Sequence, residues 1–315
     1  MVYKHANLSL DLSLYGSHPD QEDIFCKTLL EDLPSNPMPY DAAGQFTTWV
    51  IRESMRRLEQ IRIQPAFFPM AGTTVQRTTA PDASGLTKRF FQGFARLCAC
   101  FPPGGTEQDK LMKFIQYLTW LKDEAPDSFP DPFDLSKVTM LKLWGPGVID
   151  PEPFRVYNAE LLSTGARTGM NRCFSEAGLR WRNYQSALAL ITKSGLIDCS
   201  FLSGLRDILP QRDTAVKCPT PKWITGHEMF TWVYDRCMEK EKTDEGNPQD
   251  IWSKENWETW KVQLDFYSSN DRVEKEARSS AGYALSLMKW ADEHPGNWDE
   301  GGPYYLLPHN QGDNY

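Results

Sequence analysis

The stretch Tyr283-Ala-Leu285-Ser-Leu-Met-Lys289-Trp290 decides the fold. Its apolar residues, with those around them in 271–293, recur at three- and four-residue spacing, the period of an α-helix that buries one face. Arg278, Gly282, Leu285 and Lys289 fall on one line, and Tyr283, Leu287 and Trp290 on a neighbouring apolar face. Lys289 is the anomaly, because it stands between Met288 and Trp290 in a stretch that otherwise reads as buried. A buried ammonium needs a partner, since desolvating it alone is expensive. One reading is a side chain that snorkels near the helix C-terminus, where a cation is favoured. The other is an ammonium aimed at an anionic ligand inside a helical bundle.

The same periodicity runs outward along the chain. It predicts helices over 17–33 (with Ser17 as N-cap), 41–61, 87–100 and 107–124, then over 154–162, 179–193, 201–209, 225–242 and 253–267. Residues 64–86 lack periodicity and read as a long loop, and Pro126, Pro130 and Pro132 exclude helix interior from 126–133. Alternating strand patterns are almost absent. The expectation is an all-α, single-domain helical bundle over 1–315 that encloses an apolar cavity. The Gly-, Pro- and aromatic-containing tail 295–315 is expected to close over the body as a lid.

Composition narrows the function classes. The 315 residues are 40% hydrophobic, enough for a sizeable core, and 24% charged. Lys+Arg 34 against Asp+Glu 42 leaves a net charge of −8, which argues against a general nucleic-acid or anionic-membrane binder. No apolar run approaches the roughly 18 residues of a membrane span. Residues 1–16 lack the continuous apolar core of a secretory signal. A soluble, cytoplasmic protein is expected. The seven cysteines are odd in number and form no Cys-x-x-Cys pair, so they read as reduced, mostly buried thiols. Cys98-Ala-Cys100 has no second pair with which to hold zinc. Phosphate-loop, dinucleotide-binding and nucleophile-elbow patterns are missing. His227-Glu228 is not followed by the second histidine of a metalloprotease, and the five histidines are scattered.

What remains is aromatic residues and acids. The chain carries 11 Trp, 12 Tyr and 16 Phe. These rings either pack the core or line a cavity whose π-faces stabilise a cation. Asp123-Glu124-Ala125-Pro126-Asp127 closes an aromatic-rich helix and looks like the aspartate-rich motif of class I terpene cyclases, interrupted by Pro126. Glu228, Trp232, Asp235 and Glu239 share one helical face, and Asp235 and Glu239, one turn apart, suit Mg²⁺. Asn270-Asp271-Arg-Val-Glu274 partly resembles the second metal motif of those cyclases. Arg278 at its last position makes an acid cluster on the helix dipole the better reading.

Trp181-Arg-Asn183-Tyr-Gln-Ser-Ala-Leu-Ala-Leu-Ile-Thr, then Trp257-Glu-Thr-Trp260-Lys, then the terminal helix with Ala284 and Met288, resembles a fungal family of helical proteins encoded near natural-product genes. Within that family, the last helix with Leu285 and Lys289 resembles the humulene synthases of tropolone-sesquiterpenoid pathways. The resemblance covers most of the chain from Trp144 onward. It implies an all-α sesquiterpene cyclase acting on farnesyl diphosphate with two Mg²⁺ ions, Lys289 as the catalytic residue, and Leu285 shaping the cavity. It does not transfer the metal ligands. Asp123, Asp127, Asp235 and Glu239 are candidates from spacing alone, and Trp232 is a candidate substrate contact. A non-catalytic binding or regulatory protein of a fungal biosynthetic cluster and a prenyltransferase are the alternatives.

Overall fold

The computed structural model describes residues 7–63, 84–121, 128–130, 138–140, 149, 151–163, 176–202, 205, 230–244, 250–273 and 275–296. These residues are mainly helical. The helices are α1 (Gln21–Asp32), α2 (Pro39–Ile63), α3 (Ser84–Cys98), α4 (Thr106–Leu121), α5 (Glu152–Ser163), α6 (Glu176–Lys193), α7 (Phe230–Met238), α8 (Lys254–Ser269) and α9 (Lys275–Glu293). Two three-residue strands, β1 (Ser128–Pro130) and β2 (Val138–Met140), pair antiparallel with Phe129 opposite Thr139. The periodicity reading had no strand here. Prolines keep this stretch out of helix, and Pro130 sits at the end of its strand, where a missing N–H costs least.

Local chemistry explains three helix starts, two of which differ from expectation. The first helix starts after Asp20, not Ser17, because the Asp20 carboxylate accepts the Asp23 amide at 2.8 Å. The second begins at Pro39, whose fixed φ and missing N–H suit a first helical position. Ser253 caps α8 by accepting the Asn256 amide at 3.3 Å. Of the helix expected over 201–209, the described residues show 3-10 conformation at Ser200–Leu202 and at Leu205, and 203–204 and 206–209 lie outside them.

Two apolar clusters hold the chain together. The larger joins α1 to α6, with α2 packed on α4 and α3 packed between α1 and α5. At its centre Phe46, Phe90, Phe91, Phe94, Phe114 and Phe154 are fully buried, with ring centroids 4.2–6.3 Å apart. Helix α3 approaches α1 so closely that a Cβ on Gly93 would lie 2.4 Å from Leu30 Cδ1 and 2.5 Å from the Tyr15 hydroxyl. A buried polar set ties α4 to α6. Gln108 donates to the carbonyl of Asn183 at 3.2 Å, and Asn183 donates to that of Ala99 at 3.2 Å.

The second cluster comprises α7, α8 and α9 with Ala189 of α6 and Leu205. Only residues 270–274 separate α8 from α9, so the pair returns on itself as an antiparallel hairpin. No helix among the described residues is long and apolar enough to cross a membrane.

Candidate functional site

Helix α9 carries the two residues singled out by the resemblance. Its buried stripe is Ala281, Ala284, Leu285, Leu287, Met288 and Ala291. Leu285 is 6% exposed, at the edge of that stripe. Lys289, one turn further on, is exposed. Of the two readings of Lys289, its exposure matches the side chain that snorkels near the helix C-terminus and not an ammonium inside the bundle. Sequence neighbours on a helix are about 100° apart, so the apolar Met288 beside Lys289 faces the core while Lys289 turns away. Leu285 and Lys289 straddle the boundary between the packed and the open side of α9. Lys289 makes no ion pair or hydrogen bond with another described residue, so its charge is available to a ligand.

The acidic candidates are more dispersed. Asp235 on α7 is exposed, and so is Glu239 just beyond the helix, where Arg236 pairs with it at 3.3 Å. The backbone of Trp232 lies in α7. Asp123, Asp127 and Glu228 lie outside the described residues, as do most of the tail expected to form a lid and residues 64–83 of the loop expected over 64–86; residues 84–86 of that loop instead open α3. The Asn270-Asp271 pair works structurally: Asn270 accepts the Arg272 amide at 3.0 Å, and Asp271 pairs with Arg278. Among the described residues no three His, Cys, Asp or Glu side chains gather as a metal site would require.

The tryptophans and the asparagine of the resemblance are packing residues. Trp257 and Trp260 are fully buried; the Trp257 indole donates to Asp292 at 2.8 Å and the Trp260 indole to the Leu205 carbonyl at 3.0 Å. Trp181 is 2% exposed and its indole N–H has no hydrogen-bond partner among the described residues.

Sequence reasoning missed a pocket of about 530 Å³ between the N-terminal segment, α3, α5 and α6. Arg96 and Arg180 reach into it, with side chains only 17% and 14% exposed. Arg96 bonds Glu160 at 2.6 Å and covers the Tyr157 ring at 5.1 Å. Arg180 bonds Glu176 at 2.7 Å and the Ser9 carbonyl at 2.7 Å, and its other guanidinium nitrogen lies 3.6 Å from Cys100 Sγ. Burial raises the Tyr157 phenol from its usual 10.0 to about 12, so it stays a proton donor at neutral pH. The only sequence hint was the i, i+4 spacing of Glu176 and Arg180, which is also how ordinary surface pairs look.

No family model, curated protein or solved structure matches the chain. The likeness to humulene synthases therefore stands on the residues quoted for it.

Proposed function

We propose that the chain is a sesquiterpene cyclase that converts farnesyl diphosphate to humulene, the 2E,6E,9E isomer, in fungal tropolone-sesquiterpenoid biosynthesis. The observation that supports this most directly is the pairing on α9. An ammonium without a partner among the described residues stands one turn from a buried leucine, at the positions where the resemblance implies a diphosphate contact and a cavity wall.

In this reading the Lys289 ammonium pairs with the diphosphate and stabilises negative charge as the C1–O bond breaks. The C11 end of the prenyl chain then attacks C1, forming the eleven-membered ring. A proton leaves the resulting cation for the departed diphosphate, giving the hydrocarbon. Leu285 sets the fold of the prenyl chain and with it the double-bond geometry. Water has to be kept from the cation, or an alcohol forms instead. Two Mg²⁺ ions belong to the proposal; when bound they would supply Lewis-acid charge to the diphosphate.

The test is incubation of the chain with farnesyl diphosphate, with Mg²⁺ or with Mg²⁺ plus chelator, followed by gas chromatography. Humulene that disappears on chelation supports the reading. A non-catalytic binding protein is the second reading, favoured by the exposure of Lys289; it predicts no hydrocarbon under either condition. Turnover only when a second, prenyl-accepting substrate is added would point to a prenyltransferase.

A further inference from the structure

We propose that the pocket between α3, α5 and α6 binds a small phosphate-bearing molecule through Arg96, Arg180 and Tyr157. Three observations carry this. First, two guanidiniums and a phenol come together there from three different elements, and all three are hydrogen-bond donors. Both arginines lie close enough to act electrostatically on the Tyr157 phenol and on the Asp11 carboxyl. Planar guanidiniums match phosphate oxygens in bidentate geometry, and donors arriving from several sides suit a tetrahedral anion better than a flat carboxylate.

Second, Tyr157 is 4% exposed, and burial holds its phenol protonated at neutral pH, so it offers an anion a donor that carries no negative charge of its own. Third, the counter-charges are replaceable. The Glu160 and Glu176 side chains are 47% and 63% exposed, against 17% and 14% for the arginines they face. Ion pairs with an exposed carboxylate are weak, so both acids can swing into water and cede the guanidiniums to an incoming anion. Asp11, whose carboxylate accepts the Ser13 amide at 2.9 Å, is a third acid of the lining, so an anion outweighs it only once Glu160 and Glu176 have turned away from the two guanidiniums. The first turn of α6 adds amide N–H groups and the positive end of its dipole beside Arg180. A volume of about 530 Å³ holds more than a phosphate, and Leu161 and Ala177 supply an apolar wall for an organic body.

The experiment is titration calorimetry of the full chain with inorganic phosphate, pyrophosphate and succinate, in low salt without divalent ions. Saturable one-site binding of phosphate or pyrophosphate, with succinate weaker, is expected. Arg180→Gln should weaken it at least about tenfold and Tyr157→Phe by about threefold or more. Glu160→Gln should tighten it, because the competing carboxylate is gone; a purely structural ion pair gives no such gain. Circular dichroism reports whether each variant is folded, and Tyr157→Phe retains the ring packing should Arg180→Gln unfold. Lys289→Met removes the diphosphate contact of the terminal-helix reading above, so phosphate binding that persists in it belongs to this pocket. No saturable binding by parent and Glu160→Gln alike, succinate binding as tightly as phosphate, or loss of binding in Lys289→Met would each overturn the proposal.

Discussion

The indole N–H of Trp257, at the start of α8, donates to a carboxylate oxygen of Asp292 near the end of α9 at 2.8 Å. The other carboxylate oxygen takes the Lys261 ammonium at 2.6 Å. One acid thus satisfies a fully buried indole and a cation and fixes the register of the hairpin that carries Lys289. Burial alone would lower the Lys261 pKa, but its bonds to Asp292 and Glu258 hold it above its usual value.

Asp292→Ala should leave that indole N–H without a partner and cost about 1–3 kcal/mol, read as a lower urea midpoint. Asp292→Asn, which keeps an acceptor, should cost less. Equal stability of Asp292→Ala and the parent would show that the tie contributes nothing.

Two glycines should respond with opposite signs. A methyl on Gly93 would collide with Leu30 and the Tyr15 hydroxyl, so Gly93→Ala should destabilise by about 1–3 kcal/mol. Among the described residues Gly282 faces Ser268 Cβ, at 3.7 Å. There alanine meets ordinary contact and removes backbone freedom from the unfolded chain, so Gly282→Ala should stabilise by about 0.4–1 kcal/mol. Thermal melts of the two variants check both signs.

Alkaline pH should unfold the protein from the thiol and phenol side. Burial raises Cys26 and Cys237 from 9.0 to about 12, and Tyr157 from 10.0 to about 12. Between about pH 9 and 12 the unfolded chain has released protons that the folded chain still holds. Their contribution is therefore complete below about pH 9 and is lost as pH rises through that window. Each group adds at most about 1.4 kcal/mol per pH unit. Urea midpoints at pH 7, 9 and 10 should fall in that order, and Cys237→Ala should flatten the slope. A slope that Cys237→Ala leaves unchanged would remove that thiol from the account.

Lys289→Met should abolish humulene formation while stability changes by less than about 0.5 kcal/mol, because the side chain is exposed and unpaired among the described residues. Leu285→Met roughly conserves volume and should cost less than about 1.5 kcal/mol. Its signature is a changed product isomer ratio by gas chromatography. Full activity in Lys289→Met would count decisively against the cyclase reading.

Much of the architecture was legible in periodicity. Helices α2, α4, α6, α8 and α9 stand where apolar residues recur every three and four positions, because one buried face is all that period requires. Helix α1 starts three residues later than Ser17 implies, since Ser17 and Asp20 are both good caps and it is Asp20 that accepts the Asp23 amide. The strand pair escaped because three paired residues are too few to alternate visibly.

The helical class, the reduced thiols and the aromatic core follow from the sequence, because each depends on local spacing or on the cost of leaving an apolar group in water; helix ends do not, as α7, expected over 225–242, stops at Met238. Which way Lys289 faces and where Arg96, Arg180 and Tyr157 meet were decided only by the packing of helices. A side chain's surroundings are set by rotation about a helix axis and by partners up to 171 residues away, as when Arg180 bonds Ser9, and neither is encoded in the identity of the residue next door.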